Sequence, residues 1–66
     1  MEIIVNGEPK TVTPMSVREF LASLDIDPRR VAVELNLDIL PKGDYDTTRL
    51  QAGDRLEIVH FVGGGQ

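Results

Sequence analysis

One segment of this 66-residue chain has the apolar spacing of an α-helix, and the runs on both sides of it are typical of β-strands. Ser16 and Glu19 fit a capping box, in which each side chain accepts a hydrogen bond from the other residue's backbone N–H. Four apolar residues then follow the i, i+3, i+4, i+7 spacing of one helical face: Val17, Phe20, Leu21 and Leu24. A single amphipathic helix must bury its apolar stripe against another element, which here has to be a sheet.

Five runs of the sequence predict the strands of that sheet. Asn6-Gly7 indicates a type I′ hairpin turn after the first run. The segment Asp25-Ile26-Asp27-Pro28 is expected to end the helix, since the residue before Pro28 avoids helical geometry. The predicted strands are 1–5, 10–13, 31–35, 39–40 and 55–62. This order predicts an α+β domain over residues 1–62, with one main helix packed across one face of a mixed four- to five-stranded sheet. With the first and last strands parallel at its centre, this is the ubiquitin-like β-grasp fold, and residues 63–66 form a flexible Gly-rich C-terminal tail.

Composition excludes several classes of function. The chain has no cysteine, so disulfides, thiolate nucleophiles and thiolate metal sites are excluded. With 11 acidic and 7 basic residues the formal net charge is −4, which disfavours nucleic acid and favours a partner with a basic docking face. The N-terminus does not resemble a signal peptide and no apolar run has membrane-spanning length, so we expect a cytoplasmic domain that does not bind a membrane.

The inventory of catalytic groups predicts that the chain is not an enzyme. His60 is the one histidine, and no cysteine is available as its nucleophile, so His60 is interpreted as a structural or partner-contact residue. One histidine without cysteine makes a poor metal site. The isolated glycines do not form a phosphate-binding loop, so no cofactor is expected to bind this chain itself.

The C-terminal residues Gly63, Gly64, Gly65 and Gln66 follow directly after the last predicted strand. Glycine has no Cβ, so such a tail can enter a channel that is too narrow for side chains. The tail is costly to order and adds nothing to a core, so its use would be to place a terminal carboxylate in another protein's active site. The alternative is a frayed chain end without function.

Three apolar residues are predicted to form a docking patch beside the tail. Alternation along the strands places Val59 and Phe61 on the face of the sheet away from the helix, and it places Ile4 on the same face of the first strand. Exposed apolar patches often mark binding sites. The alternatives are ordinary isolated surface residues, or a register that is wrong by one residue.

Over nearly its whole length the sequence resembles the ThiS family, the ubiquitin-like sulfur carrier proteins of thiamine biosynthesis. The resemblance rests on Val5-Asn6-Gly7-Glu8, on residues 31–36, on Ile39-Leu40-Pro41, and on residues 50–59 running into the glycines. Terminal Gly-Gly alone is a weak motif. Combined with Gly53-Asp54, a hydrophobic strand and this chain length, it is a strong one.

The resemblance implies a mechanism in which the C-terminal glycine carboxylate is the working group. A ubiquitin-activating-type enzyme (ThiF-like) would adenylate it with ATP and Mg²⁺, it would become a thiocarboxylate, and thiazole synthase (ThiG-like) would take the sulfur. By position the working residue is Gly65, preceded by Gly64 and Gly63. Gln66 departs from the family pattern: it is removed by a tail-trimming protease, it is not native, or the chain is not a direct substrate.

Two alternatives share this fold. A sulfur carrier of the molybdopterin or cysteine type has the same tail and activation chemistry and differs only in its partners. A non-covalent β-grasp binding module is the other, and the three glycines argue against it.

Overall fold

In the computed structural model, which describes residues 1–62, five strands form one mixed sheet and a single α-helix covers one face of it. The elements in chain order are β1 (Glu2–Val5), β2 (Glu8–Thr11), α1 (Val17–Ser23), β3 (Val31–Leu35), β4 (Asp38–Leu40) and β5 (Arg55–His60). Short 3-10 helices span Pro28–Arg30 and Lys42–Asp44. The strand order is β2-β1-β5-β3-β4, with β1 and β5 parallel and the other neighbours antiparallel. The predicted β-grasp architecture is confirmed, whereas the prediction for residues 63–66 lies outside the described residues.

The core lies between α1 and the sheet. Phe20 and Leu21 of the helix are 2% and 0% exposed, and Tyr45 and Leu50 from the segment before β5 complete the core. Leu24, the last residue of the predicted apolar stripe, is 40% exposed and lies at the margin. The inward residues of the strands are also buried: Ile3, Val5, Val31, Val33, Leu56 and Ile58.

The helix begins as predicted, and it ends at the predicted segment but for a different reason. The Ser16 hydroxyl accepts from the Glu19 N–H at 3.0 Å, and the Glu19 carboxylate accepts from the Ser16 N–H at 2.8 Å. At the other end Asp25 has φ 59°, and the N–H of Ile26 donates to the carbonyl of Leu21. This is a Schellman motif, so a left-handed aspartate ends the helix and the proline does not. Sequence analysis missed it because glycine is the usual residue at that position.

Pro28 has a different role, since it begins a 3-10 helix whose N-cap is Asp27. The Asp27 carboxylate accepts from the Arg29 N–H at 2.9 Å and from the Arg29 guanidinium. These hydrogen bonds from Arg29 hold the pKa of Asp27 at about 2. The 3-10 helix therefore holds the backbone in a defined shape just before β3.

Only β3 has both predicted boundaries: β1 and β4 each differ by one residue at their start, and the larger differences are in β2, which spans Glu8–Thr11, and in β5. β2 begins at Glu8 and includes Pro9, which an edge strand accommodates because it can lack a ladder N–H. β5 ends at His60 and not at Val62. The Phe61 N–H still donates to the Arg30 carbonyl at 2.9 Å, but Arg30 lies in the 3-10 helix, so β3 has no further residue to pair with β5. Within residues 1–62 no helix is long and apolar enough to cross a bilayer.

Candidate functional site

The site is the end of the central strand, where the chain leaves the fold toward its C-terminal glycines. β5 lies between β1 and β3 and is held from both sides. On the β3 side the pairing runs from Leu35–Leu56 to Val31–His60. The C-terminal residues are therefore attached to the best-anchored strand of the sheet.

On the β1 side the backbone pairing stops early, and a side chain continues it. β1 pairs with β5 only at Ile4–Arg55 and Val5–Leu56, because the chain turns away at Asn6. The Asn6 side-chain amide accepts from the Ile58 N–H at 2.7 Å and donates to the Ile58 carbonyl at 3.3 Å. Both polar groups of Ile58 on this side are thus satisfied by one amide. The sequence indicated only the turn at this position.

The turn itself has the predicted geometry. Asn6 has φ 49° and Gly7 has φ 83°, and a type I′ turn requires positive φ at both central positions. Asn6 therefore shapes the hairpin with its backbone and binds β5 with its side chain.

Phe61 is the last residue whose backbone has a described hydrogen bond to the rest of the fold, from its N–H to the carbonyl of Arg30. Its side chain is 56% exposed. Its ring lies beneath the ammonium group of Lys42, which is 4.9 Å from the ring centroid. The point at which the chain leaves the fold is thus defined by a backbone hydrogen bond and by a side-chain contact.

The three predicted docking residues lie on strands of the sheet as expected, but they are not all neighbours. Val59 is 59% exposed on the face opposite α1, and Phe61 follows it by two residues. Ile4 is half-buried and is the strand partner of Arg55, four residues before Val59 on β5. Four residues of strand span about 13 Å. The structure therefore brings Val59 and Phe61 together and places Ile4 farther along the sheet.

Other apolar residues, which the sequence did not identify as part of the site, lie closer to Phe61 than Ile4 does. Ala32 is the strand partner of Val59. Ile39 is 78% exposed, and together with Phe61 it lines a shallow groove of about 180 Å³. We call Ala32, Ile39, Val59 and Phe61 the apolar exit surface. Leu40 packs against the core, and its neighbour Ile39 therefore lies on the outer face of β4. Alternation along β4 was the signal in the sequence that could have identified Ile39.

Two carboxylates lie beside the apolar exit surface. Glu34 on β3 is the direct strand partner of Glu57 on β5. Like charges directly opposite each other on a sheet are destabilising. Among the ion pairs of residues 1–62 none involves Glu34 or Glu57. The fold therefore tolerates a locally negative site next to exposed apolar side chains.

His60 lies on the other face of the sheet. It is exposed at the end of β5 and lines a cleft of about 360 Å³ with Leu24, Ile26 and Lys10. In the described part of the chain no three His, Cys, Asp or Glu residues are close enough to hold a metal ion. His60 has no acid–base partner of the kind that catalysis needs among the hydrogen bonds of these residues.

The predicted tail residues Gly63, Gly64 and Gly65 lie outside the described residues, as does Gln66. The described part of the chain ends at Val62, two residues after β5 ends at His60.

Fold and exit geometry together define a ubiquitin-like β-grasp protein. Comparison with known proteins gives the particular family: residues 3–65 match the ThiS family, and the chain belongs to it. The predicted family is therefore confirmed. Relatives of about this size are named sulfur carrier protein ThiS or thiamine biosynthesis protein ThiS, in agreement with the prediction that the chain is not an enzyme.

Individual relatives agree with this assignment. The chain is 42% identical over 50 residues to the sulfur carrier protein ThiS of Bacillus subtilis, covering 76% of each chain. A crystal structure of the thiamine biosynthesis protein ThiS from Geobacter metallireducens superimposes with a TM-score of 0.84 at 38% identity, covering 98% of this chain and 100% of that one.

A second kind of relative is much longer. The chain is 46% identical over 66 residues to a thiazole synthase of Paramagnetospirillum magneticum, covering 98% of this chain and 20% of that protein. The chain thus spans about a fifth of the length of the thiazole synthases that it matches.

Proposed function

We propose that this chain carries sulfur for thiazole formation in thiamine biosynthesis, as a thiocarboxylate on Gly65. The observation that carries the proposal is the family match, which extends from β1 to Gly65 and so includes the three glycines. The position of these glycines after the central strand is the geometric support.

The chemistry explains why the chain needs no catalytic group of its own. A carboxylate is a poor electrophile until one of its oxygens becomes part of a good leaving group. In the proposed first step the Gly65 carboxylate attacks the α-phosphate of ATP, and pyrophosphate leaves. In the second step a persulfide on an enzyme cysteine attacks the acyl carbon, and AMP leaves. A second thiol then cleaves the S–S bond of the resulting acyl disulfide, which leaves the thiocarboxylate on Gly65 and a disulfide that includes the enzyme cysteine. A ThiF-like adenylating enzyme would supply the ATP site, the Mg²⁺ and the sulfur-transferring cysteine.

The acceptor partner is proposed to be a ThiG-like thiazole synthase. The support is that relatives of this chain occur within longer proteins named thiazole synthase. A domain joined covalently to an enzyme is held at a high effective concentration near the active site. The separate chain would have to form the equivalent contact by binding.

The apolar exit surface is the proposed docking surface for the adenylating enzyme. Val59 and Phe61 lie where the chain leaves the fold, so an enzyme that binds them also receives the tail. The paired carboxylates of Glu34 and Glu57 favour an enzyme face that carries basic side chains. Ile4 would belong to this docking surface only if the enzyme also contacts the sheet about 13 Å farther along β5.

Gln66 is proposed to be removed by a tail-trimming protease before activation, so that Gly65 becomes the terminal residue. The reaction then takes place in the cytoplasm, where the ATP-dependent enzyme would act. The unfavourable charge balance argues against nucleic acid as a partner.

The test is the exchange of labelled pyrophosphate into ATP by the ThiF-like enzyme, with the chain and with a form that ends at Gly65. We expect exchange that depends on the Gly65-terminated form, because a chain ending in Gln66 would have to place a side chain in a channel fitted to glycine and would not be adenylated. A molybdopterin-type activating enzyme is the matched control and should give less exchange. If neither form supports exchange while the enzyme's own carrier does, the proposed function is wrong.

A further inference from the structure

Lys42 makes a set of contacts that neither the fold nor the proposed chemistry requires. It is the first residue of the 3-10 helix after β4. Its ammonium group donates hydrogen bonds to the backbone carbonyls of Pro28, at 3.2 Å, and of Val31, at 2.5 Å. Hydrogen bonds from a charged donor are stronger than neutral ones. Lys42 therefore joins the segment that follows β4 to the backbone at the start of β3.

The same ammonium group also lies near two aromatic rings. It is 4.9 Å from the centroid of Phe61 and 5.9 Å from the centroid of Tyr45. Tyr45 is 2% exposed and fixed in the core, whereas Phe61 is on the surface. A cation within about 6 Å of a ring centroid is attracted to the ring face. Lys42 thus links a rigid core ring to the last ring before the tail.

The backbone of Phe61 depends on the same segment. Its N–H donates to the carbonyl of Arg30, which lies between the two carbonyls that Lys42 binds. One side chain therefore contacts both the segment whose carbonyl accepts from Phe61 and the aromatic ring of Phe61. No other side chain within residues 1–62 makes a cation–π contact with Phe61.

We propose that Lys42 is a positioning residue that fixes Phe61 and thereby sets the direction in which the chain leaves the sheet. Its consequence for activation rests on the proposed function. A Phe61 that is already ordered loses less conformational freedom when the adenylating enzyme binds it. Without Lys42 the enzyme must order Phe61 at the moment of binding.

The first test measures order directly by ¹⁵N relaxation, without any partner. In Lys42→Met the apolar stem is kept, while the charge and the donors are lost. We expect the order parameter of the Phe61 amide to fall from about 0.8 to below about 0.6 in this variant. Lys42→Arg should retain the wild-type value, because its guanidinium can donate to the same carbonyls and stack on the ring. Lys10→Met on β2, the edge strand opposite β4, is the control for charge and should change nothing at Phe61.

The second test separates positioning from folding by means of activation kinetics. With the ThiF-like enzyme, Lys42→Met should raise the KM for the Gly65-terminated chain about two- to fivefold, the range of an exposed cation–π contact, with kcat unchanged. Lys42→Arg should restore the KM. An unchanged order parameter at Phe61 together with an unchanged KM would overturn the proposal, and so would a folded Lys42→Arg chain that behaves like Lys42→Met. Failure of the proposed function would be seen separately, as a wild-type chain that is not activated.

Discussion

The side-chain amide of Asn6 makes both hydrogen bonds that the backbone of Ile58 would otherwise make with a longer β1. The N–H of Ile58 donates to the amide oxygen, and the carbonyl of Ile58 accepts from the amide nitrogen. Because β1 turns away after Val5, this contact is what holds the second half of β5 on that side. A turn residue thus secures the strand that carries the C-terminal glycines.

Asn6→Gly should destabilise the domain by about 1–3 kcal/mol, because it leaves the partly buried Ile58 N–H without its acceptor. Glycine keeps the positive φ of this turn position, so the loss reports the amide and not backbone strain. Asn6→Asp retains an acceptor for the Ile58 N–H and should lose less. Urea denaturation of the three chains checks this order. An Asn6→Gly chain as stable as the wild type would show that the side-chain bridge contributes nothing.

Phe61→Asp should weaken binding to the adenylating enzyme more than it weakens the fold. The ring is 56% exposed, so little core packing is lost, while the carboxylate puts a charge into the apolar exit surface. Leu37→Asp is the matched control, since Leu37 is 75% exposed in the turn between β3 and β4, at the other end of β3. Calorimetric titration measures both affinities. Equal affinities for the two variants would remove Phe61 from the docking surface.

Glu34→Gln should affect stability and binding in opposite directions. Removing one of two facing carboxylates should stabilise the isolated domain by about 0.2–1 kcal/mol, because it relieves like-charge repulsion. The same change should weaken binding to a basic enzyme face. Glu8→Gln on β2 is the matched control, because it makes the same change of charge away from the apolar exit surface. Denaturation and titration performed together check the prediction, and tighter binding by Glu34→Gln would contradict the docking orientation.

Gly64→Ala should leave the free energy of unfolding unchanged and block adenylation. Gly64 follows the last strand by several residues, and an added methyl group would crowd a channel fitted to glycine. Pyrophosphate exchange with the Gly65-terminated variant measures the effect. Wild-type exchange by a folded Gly64→Ala chain would mean that the channel accepts side chains.

Much of the fold could be predicted because local signals agreed with the global arrangement. The capping box at Ser16 and Glu19 and the turn at Asn6-Gly7 each occur in the structure with the expected geometry. The segment that ends the helix was predicted, but the reason was not: Pro28 is the stronger signal in the sequence, and yet a left-handed Asp25 ends the helix before it. A non-glycine residue at such a position gives no strong local signal.

The site was harder to predict because it depends on register and on long-range contacts. Alternation gives the face on which Ile4 lies, but only the pairing of Ile4 with Arg55 shows that it is distant from Val59. The contact between Lys42 and Phe61 joins a residue of a 3-10 helix to a residue just after β5, and no spacing in the sequence predicts it. The sequence therefore predicted which residues lie on the outer face of the sheet, but it did not predict which of them are close to one another.

Intact-mass spectrometry of the chain tests the central claim most directly. The full chain and a form ending at Gly65 would each be incubated with the ThiF-like enzyme, ATP, Mg²⁺ and a sulfur source. We predict that the Gly65-terminated form alone gains the mass difference between one sulfur and one oxygen, as a C-terminal thiocarboxylate requires. No gain in either form, with an enzyme that converts its own carrier, would contradict the assignment of this chain as the sulfur carrier.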